Sequence, residues 1–315
     1  MSRVVVMTAT DLSIILISTV VLTTPVLLAA LGGLLSERVG VFALALEPFM
    51  LVGAFVAVIA ARETNAYIGM VAGGLGGLIV AWAYAVFTVR LSINQVAAAI
   101  GLLTVSIGAV SFFNNVLLER SGTTFQGAPQ LPPLDIPILG DIPLLGQALF
   151  NQNVLVYFSY AALLFVVYYL TKSHSGLRLS SVGDAPRVAE TRGIPVAKTR
   201  TVAVLASGLL AGLGGAMLSI GILGAFTPNI VGGRGFIALA AIIFAGWRPL
   251  LVVFASLLFG AADALQLWMT AEGFDISPAI LNMLPYLLTL GMLLVMAKRP
   301  PPASLGMPYY RELRG

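Results

Sequence analysis

Long apolar runs limit this chain more than any other feature. A helix needs about 20 apolar residues to cross the hydrocarbon core of a bilayer. Eight runs meet or approach that length, at 11–35, 40–61, 66–90, 93–118, 151–171, 201–223, 250–270 and 279–297. Only 10% of the residues are charged and 59% are hydrophobic, whereas a soluble domain carries about 25% charged residues. Lipid must therefore be the solvent. The expected fold is all-α: a polytopic transmembrane helical bundle of about eight spanning helices, forming one membrane domain over 1–315. The first run shows no small-residue cleavage site and continues into further spans, so it is expected to be retained.

A ninth run, 236–246, is only half a span. At about 1.5 Å per residue it reaches roughly 16 Å, so as a helix it would start near the bilayer midplane. The ten residues before it, Phe226-Thr-Pro-Asn-Ile-Val-Gly-Gly-Arg-Gly235, are too rich in Gly and Pro for a regular helix. Irregular backbone at membrane depth is tolerated only inside protein or along a wet cavity. The segment 224–246 is therefore read as a re-entrant loop followed by a half-helix.

Loop charge sets the orientation. Loop 172–200 carries Lys172, Arg178, Arg187, Arg192, Lys198 and Arg200, and the tail carries Lys298, Arg299, Arg311 and Arg314. Both are expected in the cytoplasm. Loop 119–150 is proline-rich, with Asp135, Asp141 and the lone base Arg120, and is expected outside. Alternation then leaves only Arg3, Arg62, Arg120 and Arg234 of the 17 basic residues outside or in a pathway. The amino terminus falls outside and the carboxyl terminus inside. The formal net charge of +4 is accounted for by these loops, without nucleic acid.

The chain also repeats itself. Leu27-Leu-Ala-Ala-Leu-Gly-Gly33 matches Leu209-Leu-Ala-Gly-Leu-Gly-Gly215, and Gly40-Val-Phe-Ala-Leu-Ala45 matches Gly235-Phe-Ile-Ala-Leu-Ala240. By the span count the two copies run in opposite directions. Inverted repeats with interrupted helices at matching positions are a transporter architecture, with solute handled near the midplane. Gly69, Gly73, Gly77 and Ala81 recur every fourth residue, as do Gly208, Gly212 and Ala216. Such small-residue stripes let helices approach closely.

Several polar residues lie inside apolar runs. Glu47 precedes Pro48, which removes a backbone hydrogen bond. A carboxylate at that depth is costly and usually faces a bundle interior. Glu47 is either a partner for a freed backbone amide or a pathway residue, and the same alternatives apply to Asp263. Asn94, Gln95, Asn114, Asn229 and Arg234 could hydrogen-bond a hydroxylated or heterocyclic solute, or simply cap helices at the interface. The chain has no cysteine and one histidine, His174, in a loop, so neither a thiolate site nor an ordinary zinc site is expected. No G-x-x-x-x-G-K-[S/T] phosphate loop occurs. No cofactor or metal is expected in this chain.

Within loop 172–200, Gly183 and Asp184 form an expected turn and N-cap. The segment from Ala185 through Arg187, Ala189 and Glu190 is a short helix, closed by Gly193. Ala185 and Ala189, four apart, are expected to face a soluble partner.

These residues and others resemble a known family. Leu35-Ser-Glu-Arg-Val-Gly40, Leu46-Glu47, Gly53-Ala-Phe55, Asn94-Gln-Val96, Leu131-Pro-Pro133, Asp141-Ile-Pro-Leu-Leu-Gly146 and Gly176-Leu-Arg-Leu179 carry the resemblance in the first half. It continues through 183–194, Ser207-Gly-Leu-Leu-Ala-Gly212, Gly233-Arg-Gly-Phe-Ile-Ala-Leu-Ala-Ala241, Trp247-Arg-Pro249, Leu284-Pro-Tyr-Leu-Leu-Thr-Leu290 and Gly306-Met-Pro-Tyr-Tyr310. The pattern is similar to the permeases of ribose-, nucleoside- and branched-chain-amino-acid-type ABC importers, above all the simple-sugar/nucleoside branch. It departs from the usual family residues at Ala43, Pro48 and Asp184-Ala185.

The resemblance implies a permease subunit in the inner (plasma) membrane, not itself an enzyme. It would pair with a second permease, a cytoplasmic ABC ATPase and an external solute-binding protein or lipoprotein. Segment 183–193 would be the coupling helix seated in the ATPase. A stand-alone secondary transporter or a passive channel is the rival expectation. Neither needs a coupling loop, and the former needs an ion relay for which only Glu47 and Asp263 qualify.

Overall fold

The computed structural model describes residues 9–117, 127–136, 142, 145–273, 283, 287, 291 and 300–309. The apolar run 279–297 lies outside the described residues except at three positions. Seven helices among the described residues are long and apolar enough to cross a membrane. Their shared cause is the one read from sequence: in hydrocarbon the backbone must bond to itself, and a helix does so within one segment. The protein is a multi-pass, all-α helical bundle.

In chain order the helices are α1 (Ala9–Arg38), α2 (Leu46–Glu63), α3 (Ala66–Ala85) and α4 (Gln95–Leu117). A 3₁₀ turn, Ala43–Ala45, leads into α2, and a π-helical turn, Val86–Arg90, ends α3. Then come α5 (Leu145–Phe150), α6 (Val154–Lys172), α7 (His174–Asp184), α8 (Pro186–Thr191), α9 (Val196–Ala216), α10 (Arg234–Phe244) and α11 (Pro249–Ala271). Side-chain caps mark several of the starts. Asn65 Oδ1 accepts from Ile68 N, Asn153 Oδ1 from Leu155 and Val156 N, and Ser173 Oγ from Gly176 N.

The described parts of two loops hold more regular structure than their sequence implied. The segment 119–150 holds a strand, β1 (Pro133–Asp135), paired antiparallel with β2 (Asn151–Asn153). It also reaches the π-helical stretch Met217–Leu223 that continues α9 and its cap Gly224: Gly127 N and Ala128 N donate to Gly224 O, and Leu131 N to Ile220 O. Residues 172–200 are mostly helical, with α9 starting at Val196 rather than at 201.

Helix α9 is largely buried from Ser207 to Ala216, and it packs on α1, α2 and α3. Helix α1 packs on α9, α10 and α11. Matching α1 with α9, α2 with α10 and α3 with α11 maps one set of contacts onto the other, and α2 touches α10 across the pair. The sequence repeat thus has a packing counterpart. The α3–α9 seam shows why glycine recurs there. A Cβ on Gly77 would strike the Gly208 carbonyl, and one on Gly212 would lie 2.5 Å from the Gly73 carbonyl. On the matching α1–α11 seam a Cβ on Gly260 would strike Thr23.

Candidate functional site

The half-length run folds as an 11-residue helix, α10. Before it, residues 224–233 form no regular helix, and Gly224, Gly232 and Gly233 take positive φ. Phe226, Ile230 and Val231 of this segment are buried. The first amides of α10 have no partner within the helix, and Glu47 supplies one from the other repeat. Its Oε1 accepts from Gly233 N at 2.8 Å and its Oε2 from Gly235 N at 2.7 Å. Glu47 also lies in the first turn of α2, so two helix N-termini meet one carboxylate, which their dipoles favour. The approach needs glycine at 235, because a Cβ there would run into the Glu47 backbone and carboxylate. The Glu47 carboxylate thus has backbone partners, and these are amides of α10 rather than one freed by Pro48.

Arg234 and Asp263 sit beside this junction. Arg234 Nη2 lies 3.4 Å from Asp263 Oδ2, and Arg234 Nη1 donates to Val231 O. Asn229 is exposed in the turn before α10. The structure thus brings Glu47, Arg234 and Asp263 together, with Asn229 close in sequence to them.

The remaining polar residues expected in a pathway are placed elsewhere. Asn94 is the cap of α4, accepting from Val96 N and Ala97 N. Gln95 is buried, and its Oε1 accepts from Phe42 N at 2.7 Å. Tyr84 OH donates to Phe42 O at 2.9 Å. Gln95 and Tyr84 therefore brace the chain between α1 and α2. Asn114 is buried near the far end of α4.

A second cluster joins that same connection to α7, α8, α10 and the tail. Glu37 is fully buried; its Oε2 accepts from Trp247 Nε1 at 2.6 Å and its Oε1 from Ala43 N at 3.3 Å. The Arg38 guanidinium donates to Trp247 O through Nε and Nη2. Trp247 has φ of +57°, unusual for a bulky residue, and these bonds hold it there. Arg200 is 2% exposed. It donates to Val39 O, Met307 O and Ser304 Oγ, and lies over the Tyr309 ring. Ser304 in turn donates to Gly183 O.

The segment 183–193 differs from its expected form in detail. Gly183 and Asp184 end α7 rather than capping α8, and Ala185 is the cap position. Gly183 is buried against the Arg38 carbonyl, where a Cβ would not fit. Gly193 has φ of +82°, the left-handed conformation expected of it. Ala185 and Arg187 are exposed, but Ala189 is buried and does not face outward. The outward apolar residue of α8 is Val188, 59% exposed. Glu190 accepts a hydrogen bond from Tyr309 OH. Sequence reading missed Glu37, Trp247, Ser304 and Tyr309, and counted Arg200 as a loop charge. The available signal was the density of polar residues in 35–40 and their return in Trp247-Arg-Pro249.

Comparison with known proteins bears on what this arrangement serves. A family model described as "Branched-chain amino acid transport system / permease component" matches residues 15–297. The guanosine ABC transporter permease protein NupQ of Bacillus subtilis is 34% identical over 96% of this chain and 98% of its own. The TsgC13 permease protein of Haloferax volcanii, named provisionally for glucose, is 33% identical over 94% and 97%. The nucleoside ABC transporter permease protein NupC of Lactococcus lactis is 32% identical over 96% and 98%. The B. subtilis and L. lactis proteins each have a counterpart in the same organism, NupP and NupB, that matches this chain more weakly. No solved structure gives a significant match.

Proposed function

The chain belongs to the family described as branched-chain amino acid transport system / permease component, and from that premise we propose that it is the permease of an ABC importer for an uncharged solute of the nucleoside or simple-sugar class. The observation that carries the reading is end-to-end similarity to permeases named for guanosine, nucleosides and glucose. The junction at α10 supports an uncharged solute. A helix N-terminus exposed at the midplane attracts anions, but Glu47 already occupies both amides, and Arg234 is paired with Asp263. The same pairing weighs against a secondary transporter. The two carboxylates that would relay ions are each committed to a fixed partner.

Segment 183–193 acts as the coupling helix, and Val188, Ala185 and Arg187 present its partner-facing side. From there the hydrogen bonds run through Gly183 and Ser304 to Arg200 and Val39. Through Glu37 and Arg38 they reach Trp247 and α10. In this reading ATP-driven closure of a separate ATPase pair moves α8. The contiguous network tilts α10 and its counterpart, the start of α2, about the Glu47 junction, giving alternating access. The amino terminus lies outside, the carboxyl terminus lies in the cytoplasm, and an external binding protein or lipoprotein delivers solute. Segment 224–246 is the re-entrant part of the pathway. A second, non-identical permease completes it, as the paired relatives suggest.

The test is co-purification from the native membrane, followed by ATPase assay across nucleosides, simple sugars and branched-chain amino acids. The reading expects an ATPase subunit and a second permease in the complex, with stimulation confined to nucleosides or sugars. Stimulation by a branched-chain amino acid alone would overturn the solute class.

A further inference from the structure

We infer that the cavity between α6, α7 and the first turns of α9 binds one anionic phospholipid. The cavity measures about 880 Å³, within the range of small-molecule sites. That is room for a headgroup and the upper part of an acyl chain. Its wall has two chemistries. Arg178, Arg192 and Lys198 line it, and no acidic residue does. None of these three cations makes an ion pair among the described residues. Phe165, Val202 and Leu35 supply an apolar wall.

The two chemistries are layered as a bilayer is layered. Helix α6 ends at Lys172 and α9 begins at Val196, so the cations stand at the ends of two spans. Phe165 lies seven residues inside the α6 end, roughly 10 Å down a helix. Val202 sits inside the α9 start in the same way. Both are more than half exposed, at 61% and 56%, as lipid-facing residues are. Basic pockets between spans at the membrane–water boundary suit anionic headgroups. Free phosphate would use the cations but leave the apolar wall unused. A phospholipid uses both. Gly193, Ile194 and Pro195 also line the cavity, so a seated headgroup would abut the end of the proposed coupling segment.

The experiment uses the full chain in nanodiscs of mixed phosphatidylglycerol and phosphatidylcholine. The chain is re-extracted with delipidating washes, and retained lipid per chain is counted by mass spectrometry. The unaltered protein should keep about one phosphatidylglycerol. Three cations near a membrane surface together contribute about a hundredfold in affinity for an anionic headgroup, so Arg178→Ala/Arg192→Ala/Lys198→Ala together should leave little phosphatidylglycerol retained. Val202→Trp should lower it while leaving every charge in place. Lys172→Ala, at the same level but outside the cavity, should change nothing. Equal retention in the unaltered and triple-variant proteins would overturn the proposal. So would a Val202→Trp protein that retains lipid normally, or displacement of the lipid by excess inorganic phosphate. The readout needs neither ATP nor solute, so its failure leaves the transport reading standing.

Discussion

A carboxylate offers two equivalent oxygens, and Glu47 uses both on the first amides of α10. Glu47→Gln keeps the shape but turns one acceptor into a donor facing an N–H. A buried amide left unpaired costs about 1–3 kcal/mol. Thermal unfolding in detergent should shift downward by a few degrees and solute uptake should fall, with membrane insertion preserved. An unchanged melting temperature and uptake would remove Glu47 from the junction. Gly235→Ala attacks the same contact sterically, since its Cβ would run into Glu47 N; forced overpacking costs about 1–3 kcal/mol. It should be at least as destabilising as Glu47→Gln by the same assay. Arg200→Lys tests the second cluster. A planar fork reaches Val39 O, Met307 O and Ser304 Oγ together, which a point ammonium does not reproduce. The variant should still assemble yet move fewer solute molecules per ATP hydrolysed; an unchanged ratio would leave Arg200 a structural residue only.

Two elements carry most of the proposed mechanism, the segment before α10 and the short helix α8. Thr227, Asn229 and Gly232 are exposed in the first. Single cysteines there, in a chain with no native cysteine, should react with water-soluble thiol reagents at rates that change with solute or ATP. Protection at all three positions in every state would contradict a wet pathway. On α8 the informative substitution is Val188→Glu, not a change at buried Ala189. An unpaired carboxylate buried at an interface costs several kcal/mol, so ATPase co-purification should drop at least about tenfold with spans intact. Full association would move the docking surface elsewhere. At this scale the sequence was informative wherever one strong cause acted. Half-span length and Gly/Pro content placed an interrupted helix at 236–246, and the structure has Arg234–Phe244. It was silent where neighbours decide. Six residues of α8 cannot reveal which alanine turns inward, and Asn94 reads alike as a solute ligand or as the helix cap it is. Glu37, Arg200 and Ser304 lie far apart in sequence, and only folding brings their partners to them.

At the scale of the whole molecule, the repeat makes one subunit a pair of matched halves. The seams α3–α9 and α1–α11 are equivalent, and α10 meets α2 at Glu47. The halves share broad seams as well as the Glu47 junction, and the proposed rocking of α10 and the start of α2 is about that junction; no phosphate loop occurs in the sequence. In the proposed reading the drive comes through 183–193 from a separate ATPase. The most direct measurement is uptake of radiolabelled nucleoside or sugar into proteoliposomes. One set holds the chain alone, and the other holds it with its co-purified permease and ATPase, with the binding protein and solute outside and ATP inside. The account predicts saturable uptake only in the complete set, abolished when ATP is replaced by a non-hydrolysable analogue. Uptake by the chain alone, driven by a solute or ion gradient without ATP, would contradict it.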